Sequence, residues 1–336
     1  MKYDKVLLGH GSGGHLTNEL VKDVFLPVFS NPYLDRLEDG AVFELGGKKL
    51  CISTDSYVVN PVIFPGGDIG SLAVHGTVND IAMCGARPVF LSLAVIIEEG
   101  LDMELLENIV LSISRAADKA GVQVVTGDTK VVHKGSADGI YINTSGIGIV
   151  DYAGDVSLKS IRPGDVVILN GPVGDHGAAI LAKREDLRLE SDIVSDSAPL
   201  NHLVEVILDA SPRIHCMRDA TRGGLGSILV EIAEMAGVSI NIEEKDIPIR
   251  DSVRGVCEIL GLDPLFLANE GKMVVFCPEA DAAAVLDAMR KHEFGKDSVI
   301  IGMVDKTDRP GLRMNTVIGG EREIDLPTGE LVPRIC

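Results

Sequence analysis

Apolar stretches of strand length alternate with helical repeats along the whole chain, and that alternation restricts the fold to layered α+β or α/β architectures. Residues 89–97 make an apolar, β-branched run of strand length, and 122–126 and 140–149 read the same way. Between them the spacing predicts an amphipathic helix over Met103–Ala120, stopped by Gly121. Earlier in the chain, 16–28 and 72–84 have helical spacing, and 50–53 reads as a strand running into Asp55. The series breaks between 151 and 161, ahead of the turn Arg162-Pro163-Gly164-Asp165. It then resumes, with strands predicted at 166–170, 239–242, 273–277 and 298–304 and helices at 177–183, 225–236 and 280–291. Both halves mix helices and strands at comparable length, so two domains are expected rather than one doubly wound sheet. The expected layout is a glycine-rich segment over 1–40, an N-terminal domain over 41–155, a C-terminal α/β domain over 156–310 and a tail over 311–336.

Composition narrows the partners. With 336 residues, 46% hydrophobic and 24% charged, the chain can bury two cores as an ordinary globular protein does. No apolar run is long enough to cross a bilayer, and the first residues lack the apolar stretch of a signal peptide. A formal charge of −19 repels phosphate backbones and anionic lipid, which argues against nucleic acid and membrane as partners. It leaves room for a nucleotide, because carboxylates hold the magnesium that carries one. The cysteines at 51, 84, 216, 257, 277 and 336 form no Cys-x-x-Cys pair, a pattern that fits a reducing cytoplasm. Cys51, Cys84 and Cys277 sit in apolar strings and read as core residues.

Cys336, the last residue, has no such explanation. Pro333 withholds a backbone donor and keeps Val332 out of the helical region, so the end should be extended. At ~3.3 Å per residue, the stretch from Leu326 to Cys336 spans on the order of 36 Å, enough to carry a thiol to an internal site or to another protein.

Three familiar signatures are absent or imperfect. The chain has no P-loop, and His10 stands where a G-x-S-x-G elbow needs glycine. Gly171-Pro172-Val173-Gly174-Asp175-His176-Gly177 opens a helix after a strand, but its spacing is not the dinucleotide fingerprint; a tight structural turn is the simpler reading. What remains is a scattered acidic set: Asp55, Asp80, Asp128 and Asp219, each at the end of an apolar strand, beside glycine or, for Asp80, interrupting an apolar helix next to Asn79. A lone Asp in such a place caps a turn. Several gathered from different strand ends are what magnesium needs to bridge polyphosphate oxygens. Two glycine turns, Gly9-His10-Gly11-Ser12-Gly13-Gly14 and Gly223-Gly224, can offer N–H groups to phosphate, and Lys130 and Arg222 add positive charge. Glu270, between apolar runs in Ala268-Asn269-Glu270-Gly271-Lys272, is either a desolvated proton acceptor or a carboxylate neutralised by Lys272.

Taken in order, His10-Gly11-Ser12-Gly13-Gly14, Ser53-Thr54-Asp55-Ser56, Val125-Thr126-Gly127-Asp128-Thr129-Lys130, Arg218-Asp219-Ala220-Thr221-Arg222-Gly223-Gly224, Ala268-Asn269-Glu270-Gly271-Lys272 and Pro333-Arg334-Ile335-Cys336 resemble the HypE family of hydrogenase maturation proteins. That family lies among the aminoimidazole ribonucleotide synthetase-like ATP-binding proteins, with selenophosphate synthetase and thiamine monophosphate kinase. The resemblance implies a homodimer paired through N-terminal domains, ATP and Mg2+ as cofactors, and a flexible C-terminal tail. It further implies that a carbamoyltransferase, HypF, loads the terminal thiol. The S-carboxamide is then dehydrated to S-cyanide at the expense of ATP, and the cyanide passes to iron on a HypC–HypD complex for the [NiFe]-hydrogenase centre.

Residue by residue, the resemblance implies Cys336, Glu270 and Lys130 in catalysis. It implies His10, Gly11, Ser12, Gly13, Gly14, Asp55, Asn79, Asp80, Gly127, Asp128, Thr129, Arg222, Gly223 and Gly224 at ATP, and Asp55, Asp80, Asp128 and Asp219 at metal. The alternative is an ATP enzyme of the same fold making a small phosphorylated product. Selenophosphate synthetase, however, uses a reactive Cys or selenocysteine near its glycine-rich start, and no cysteine precedes Cys51 here. A third possibility is a non-enzymatic carrier, which leaves the acidic and glycine motifs idle.

Overall fold

The structure, a computed structural model, describes residues 4–11, 13–184, 192–306, 309–327, 332 and 334–336. Ser12 and Pro333 lie outside the described residues. A helical lead of α1 (His15–Leu20), a π-helical stretch Val21–Phe25 and α2 (Leu26–Phe29) covers the predicted 16–28 helix. Many of its apolar side chains, Phe25, Val28 and Phe29 among them, stay exposed.

The first sheet runs from β1 (Ala41–Leu45) and β2 (Lys48–Tyr57), past the small pair β3 (Ile63–Phe64) and β4 (Gly67–Asp68), into α3 (Ile69–Met83). It continues with β5 (Arg87–Glu98), α4 (Met103–Ala120), β6 (Gln123–Val132) and β7 (Ile140–Ile149). The spatial order is β1-β2-β7-β5-β6, with β5–β6 its one parallel pairing. Asp68 fixes the start of α3, its carboxylate accepting from the N–H groups of Gly70 and Ser71 at 2.7 and 3.0 Å. Gly121, at φ +71°, ends α4 where the sequence places the stop. Helices α3 and α4 bury one face of the sheet through Leu72, Val78, Ile109 and Ile113. None of the described helices packs on the opposite face. Register sets Ile52, Ile147 and Phe90 side by side across it, and each is exposed.

The second half holds β8 (Asp165–Leu169), α5 (Asp175–Arg184), α6 (Asn201–Ala210), β9 (Cys216–Asp219), α7 (Gly224–Ala236), β10 (Ser239–Glu243) and α8 (Asp251–Leu260). It ends with β11 (Met273–Pro278), α9 (Glu279–Lys291), β12 (Val299–Asp305), β13 (Gly311–Asn315) and β14 (Glu321–Ile324). These strands make a sheet in the order β14-β13-β10-β12-β8-β11-β9. Inward alternation is clean: Val167 and Leu169 meet α7 through Leu225 and Leu229. Val166 and Ile168 face α6 and α9 through Leu203, Ile207 and Val285. One correction follows. Residues 311–324, expected in the tail, form β13 and β14 of this sheet, because Leu312, Met314 and Ile324 are buried in its core. The described residues after Ile324 lie in no helix or strand and form an arm.

Candidate active site

The arm ends inside the molecule. Val58 N–H donates to the Cys336 carbonyl at 3.1 Å and Asn60 N–H to the Arg334 carbonyl at 3.2 Å, so the last residues lie beside the chain leaving β2. Ile335 is buried in the core of the first domain. Cys336, half-buried, lines a cavity of about 300 Å³ with Asp39, Asp55, Asp80, Asp219, Arg222 and Glu270.

Each wall has a local cause. Asp55 faces the side of β2 that packs on α3. Asp80 comes from α3 itself and accepts from the Ser53 hydroxyl at 2.7 Å. Asp219 terminates β9, paired in register with Met273 of β11. Glu270 sits on the turn just before β11, anchored on both sides. Asp196 accepts from the N–H groups of Glu270 and Gly271, both at 3.2 Å, and pairs with Lys272 at 3.0 Å. Asn269 ties the same turn to the Asp219 loop by donating to Ala220 O at 2.7 Å, and it accepts from Gly174 N–H at 2.7 Å. Thus the G-x-x-G-x-x-G turn is a brace behind Glu270: a Cβ at Gly177 would crowd Leu267 and Ala268 at 3.1–3.2 Å.

The two phosphate-binding candidates of the sequence pack on one another. Gly13, at φ +74°, lies so close to Arg222 that a Cβ would meet its carbonyl at 3.0 Å, and Arg222 donates to Gly11 O. Gly223, also left-handed at φ +85°, leads directly into α7, and a Cβ on it would meet Gly13 O at 3.0 Å.

Electrostatically the cavity is under strain. Burial drives the Asp80 carboxyl well above its ordinary range, and Asp55, Asp219 and Asp39 add like-charge repulsion. Asp219 is raised by burial and then by Asp39, against the pull of Arg218. Asp39 is pushed up to about 6 by burial, partly offset by Arg218. Burial, then Asp196 and Asp219, raise Glu270 well above the usual carboxylate range, and its Oε1 is buried without a hydrogen-bond partner among the described residues. Burial likewise lifts the Cys336 thiol to about 12, with Arg222 opposing and Glu270 reinforcing. Asp39 Oδ2 and Asp219 Oδ2 also have no hydrogen-bond partner among the described residues, and oxygens of Asp39, Asp80 and Asp219 all lie within 4.8 Å of one another. Orphaned, crowded carboxylate oxygens are the donor set of a hard divalent cation, so these residues fit Mg2+.

The sequence-derived set therefore divides. Asp55, Asp80, Asp219, Arg222, Glu270, Gly13 and Cys336 come together; Gly11, Gly223 and Gly224 lie directly behind them, and His10 is buried in the same N-terminal turn. Gly14 packs instead against Pro327. Asn79 is a fastener: its side chain donates to Ala198 O and accepts from Leu200 N–H, joining α3 to the second domain. Gly127, Asp128, Thr129 and Lys130 do not reach this cavity. They lie on β6, three strands from β2 and so on the order of 14 Å away at ~4.8 Å per strand. Register also places Asp128 in the row of Ser56, Asn143 and Ala94, on the face opposite Asp55. Asp128 and Lys130 are 63% and 66% exposed and pair with each other. Asp39 takes the place in the acidic cluster that Asp128 was expected to fill. Its signature, an acid next to Gly40 just ahead of β1, is the one that marked the others.

Comparison with known proteins agrees. The family of AIR synthase related protein N-terminal domains matches residues 37–150, and that of the corresponding C-terminal domains matches 162–315. Carbamoyl dehydratase HypE of Rhodobacter capsulatus is 50% identical, over 100% of this chain and 99% of its own. A crystal structure of a HypE–HypF complex superposes with TM-score 0.87 at 48% identity, over 92% of this chain and 99% of that one. One of HypE in complex with ATP gives 0.83 at 47%, over 99% of this chain and 100% of that one. Identity of this order over the full length, on the same two-domain frame, places the chain in the HypE family of AIR synthase related proteins.

Proposed function

We propose that this chain is an ATP-dependent carbamoyl dehydratase whose substrate is an S-carboxamide on its own Cys336. One observation carries the reading: the terminal thiol lies in a carboxylate-lined cavity beside Glu270. A tail thiol without a reaction to undergo has no reason to be drawn against Asp55, Asp80 and Asp219.

Amide oxygen is a poor leaving group, and ATP supplies the phosphoryl that makes it a good one. Phosphate then departs with that oxygen as the nitrogen loses both protons, leaving C≡N on sulfur. Asp39, Asp55, Asp80 and Asp219 would hold Mg2+, which when bound offsets charge on the transferring phosphoryl. Arg222, with Gly11, Gly13 and Gly223 against it, would cradle the phosphate oxygens. Glu270, whose proton affinity burial raises, is the acceptor for one nitrogen proton, and the departing phosphate takes the other. The buried seat of Ile335 keeps water from the intermediate.

HypF is the proposed source of the carbamoyl group, a HypC–HypD complex the acceptor of cyanide, and the cytoplasm the setting. Among the described residues no helix is long and apolar enough to cross a membrane. The bare sheet face with Ile52, Ile147 and Phe90, and the exposed edge strand β6, supports a homodimer. In that dimer Asp128 and Lys130 would serve the site of a second copy.

The test is to load Cys336 with carbamoyl, add Mg-ATP and weigh the C-terminal peptide. Loss of one water is expected, and none from a Cys336→Ala chain; an unchanged mass would falsify the reading. Glu270→Gln should retain Mg-ATP binding while single-turnover dehydration slows by roughly 10²–10⁴.

A further inference from the structure

A main-chain oxygen of each of Arg334, Ile335 and Cys336 is taken by a donor of the folded body. Val58 and Asn60 take those of Cys336 and Arg334, two residues apart on one side, as a strand edge would. The carbonyl between them, on Ile335, faces the other way and is met by His176 Nε2 at 2.7 Å. His176 is fully buried near the start of α5, its ring edge-on to Phe64 at 5.3 Å. Its Nδ1 lies 2.8 Å from the Ser195 hydroxyl. A carbonyl can only accept, so the docked tail requires the proton on Nε2, and Nδ1 then accepts from Ser195. Ser195 is itself held, its N–H donating to Pro65 O at 2.8 Å.

We propose that His176, with its tautomer set by Ser195, is the latch that seats the tail in the carboxylate cavity, a positioning residue for the reaction at Cys336. The inference rests on the reading of Cys336 as the carrier of the reacting group. It goes further by assigning what holds that carrier. The grip is on main chain one residue before the thiol, so it is the same whether the sulfur carries hydrogen, carboxamide or cyanide. Cargo need not be recognised for the tail to dock. The latch also shares a loop with the chemistry, since Asp196, next to Ser195, holds the N–H groups of Glu270 and Gly271. Seating the tail and placing Glu270 are thereby parts of one packed unit.

The experiment uses the full-length protein and two readouts. One is the rate at which iodoacetamide alkylates Cys336 without ATP, read from the mass of the C-terminal peptide. The other is single-turnover dehydration after carbamoylation. His176→Phe keeps a ring against Phe64 but removes the donor, whereas His176→Gln sets an amide N–H near the place of Nε2. In His176→Phe, alkylation should quicken about tenfold, the equivalent of about 1.4 kcal/mol, and dehydration should slow comparably with Mg-ATP affinity unchanged. His176→Gln should restore both. Ser195→Ala should shift both in the direction of His176→Phe, and it carries the test if the Phe variant fails to fold. Wild-type alkylation rates in folded His176→Phe or Ser195→Ala would overturn the latch, as would a defect that glutamine does not repair. If the wild-type carbamoylated chain loses no water, the dehydratase reading fails, while the alkylation rates still decide the latch.

Discussion

A thiol that must accept a group from one protein and present it to an internal site needs two environments, and Cys336 has one of them. Docked, its thiol is raised from an ordinary 9.0 to about 12 by burial, against Arg222 and with Glu270. A raised value means that docking favours the neutral thiol. That contribution is whole below pH 9 and is lost as pH climbs toward 12. Alkylation of Cys336 should therefore rise between pH 9 and 12 more steeply than for a free thiol, an outcome that peptide mass spectrometry can check. Asp80 shows the same conflict on the acid side. It is raised by burial and by three neighbouring carboxylates, so its ionisation costs stability increasingly as pH rises above the ordinary 3.8. Asp80→Asn keeps an acceptor for Ser53 and removes the repulsion. Without metal, the variant should melt a few degrees higher at pH 7.5, on the order of 1 kcal/mol. Its further stabilisation by Mg-ATP should be lost, which a paired melting experiment measures.

The elements that aim these side chains differ in how plainly the sequence announces them. Met103–Ala120 is read to the residue because its apolar stripe and its glycine stop agree. Helices α6 and α8 are not read in advance, although each buries an apolar stripe and Gly261 stops α8, because neither has a capping side chain at its start. The strand β9 is short and is recognised only once β11 pairs with it. Of the site, the carboxylates at strand ends and Glu270 were legible, since a charge among apolar residues is conspicuous. That Asp39 rather than Asp128 joins the cluster was not. It depends on strand order, which sends β6 to the far edge while β1 closes beside β2. His176 was hidden for a similar reason, because its partners Ser195 and Ile335 are remote in sequence. The turn before β11 is equally a product of packing. A Cβ on Gly271 would fall 2.0 Å from Asp196 O, so Gly271→Ala must shift the loop that holds Glu270. Urea unfolding should show a loss of about 1–3 kcal/mol, accompanied by slower dehydration.

At the scale of the whole molecule, the first sheet is finished on one face only. Ile52, Ile147 and Phe90 stand exposed on the other face, and Asp128 and Lys130 are exposed on its edge strand β6. If a second copy covers them and receives Asp128, two defective chains should repair each other. Asp128→Asn retains its own Cys336, and Cys336→Ala retains Asp128. Mixed after unfolding and refolding together, they should recover part of the dehydration that neither shows alone. No recovery, in a sample that sedimentation shows to be dimeric, would put Asp128 outside the partner's site.

The arm that ends in the cavity has a consequence for rate laws. A substrate tethered to its own active site arrives by intramolecular motion, at an effective concentration on the order of millimolar for a short flexible link. Dehydration should then be first order in loaded protein and insensitive to dilution down to the point where subunits part. A free carboxamide-bearing peptide would have to be supplied at comparable concentration to compete. Selectivity for the cargo is thus settled upstream, by whatever loads the thiol, and this cavity has only to act on what its own tether brings.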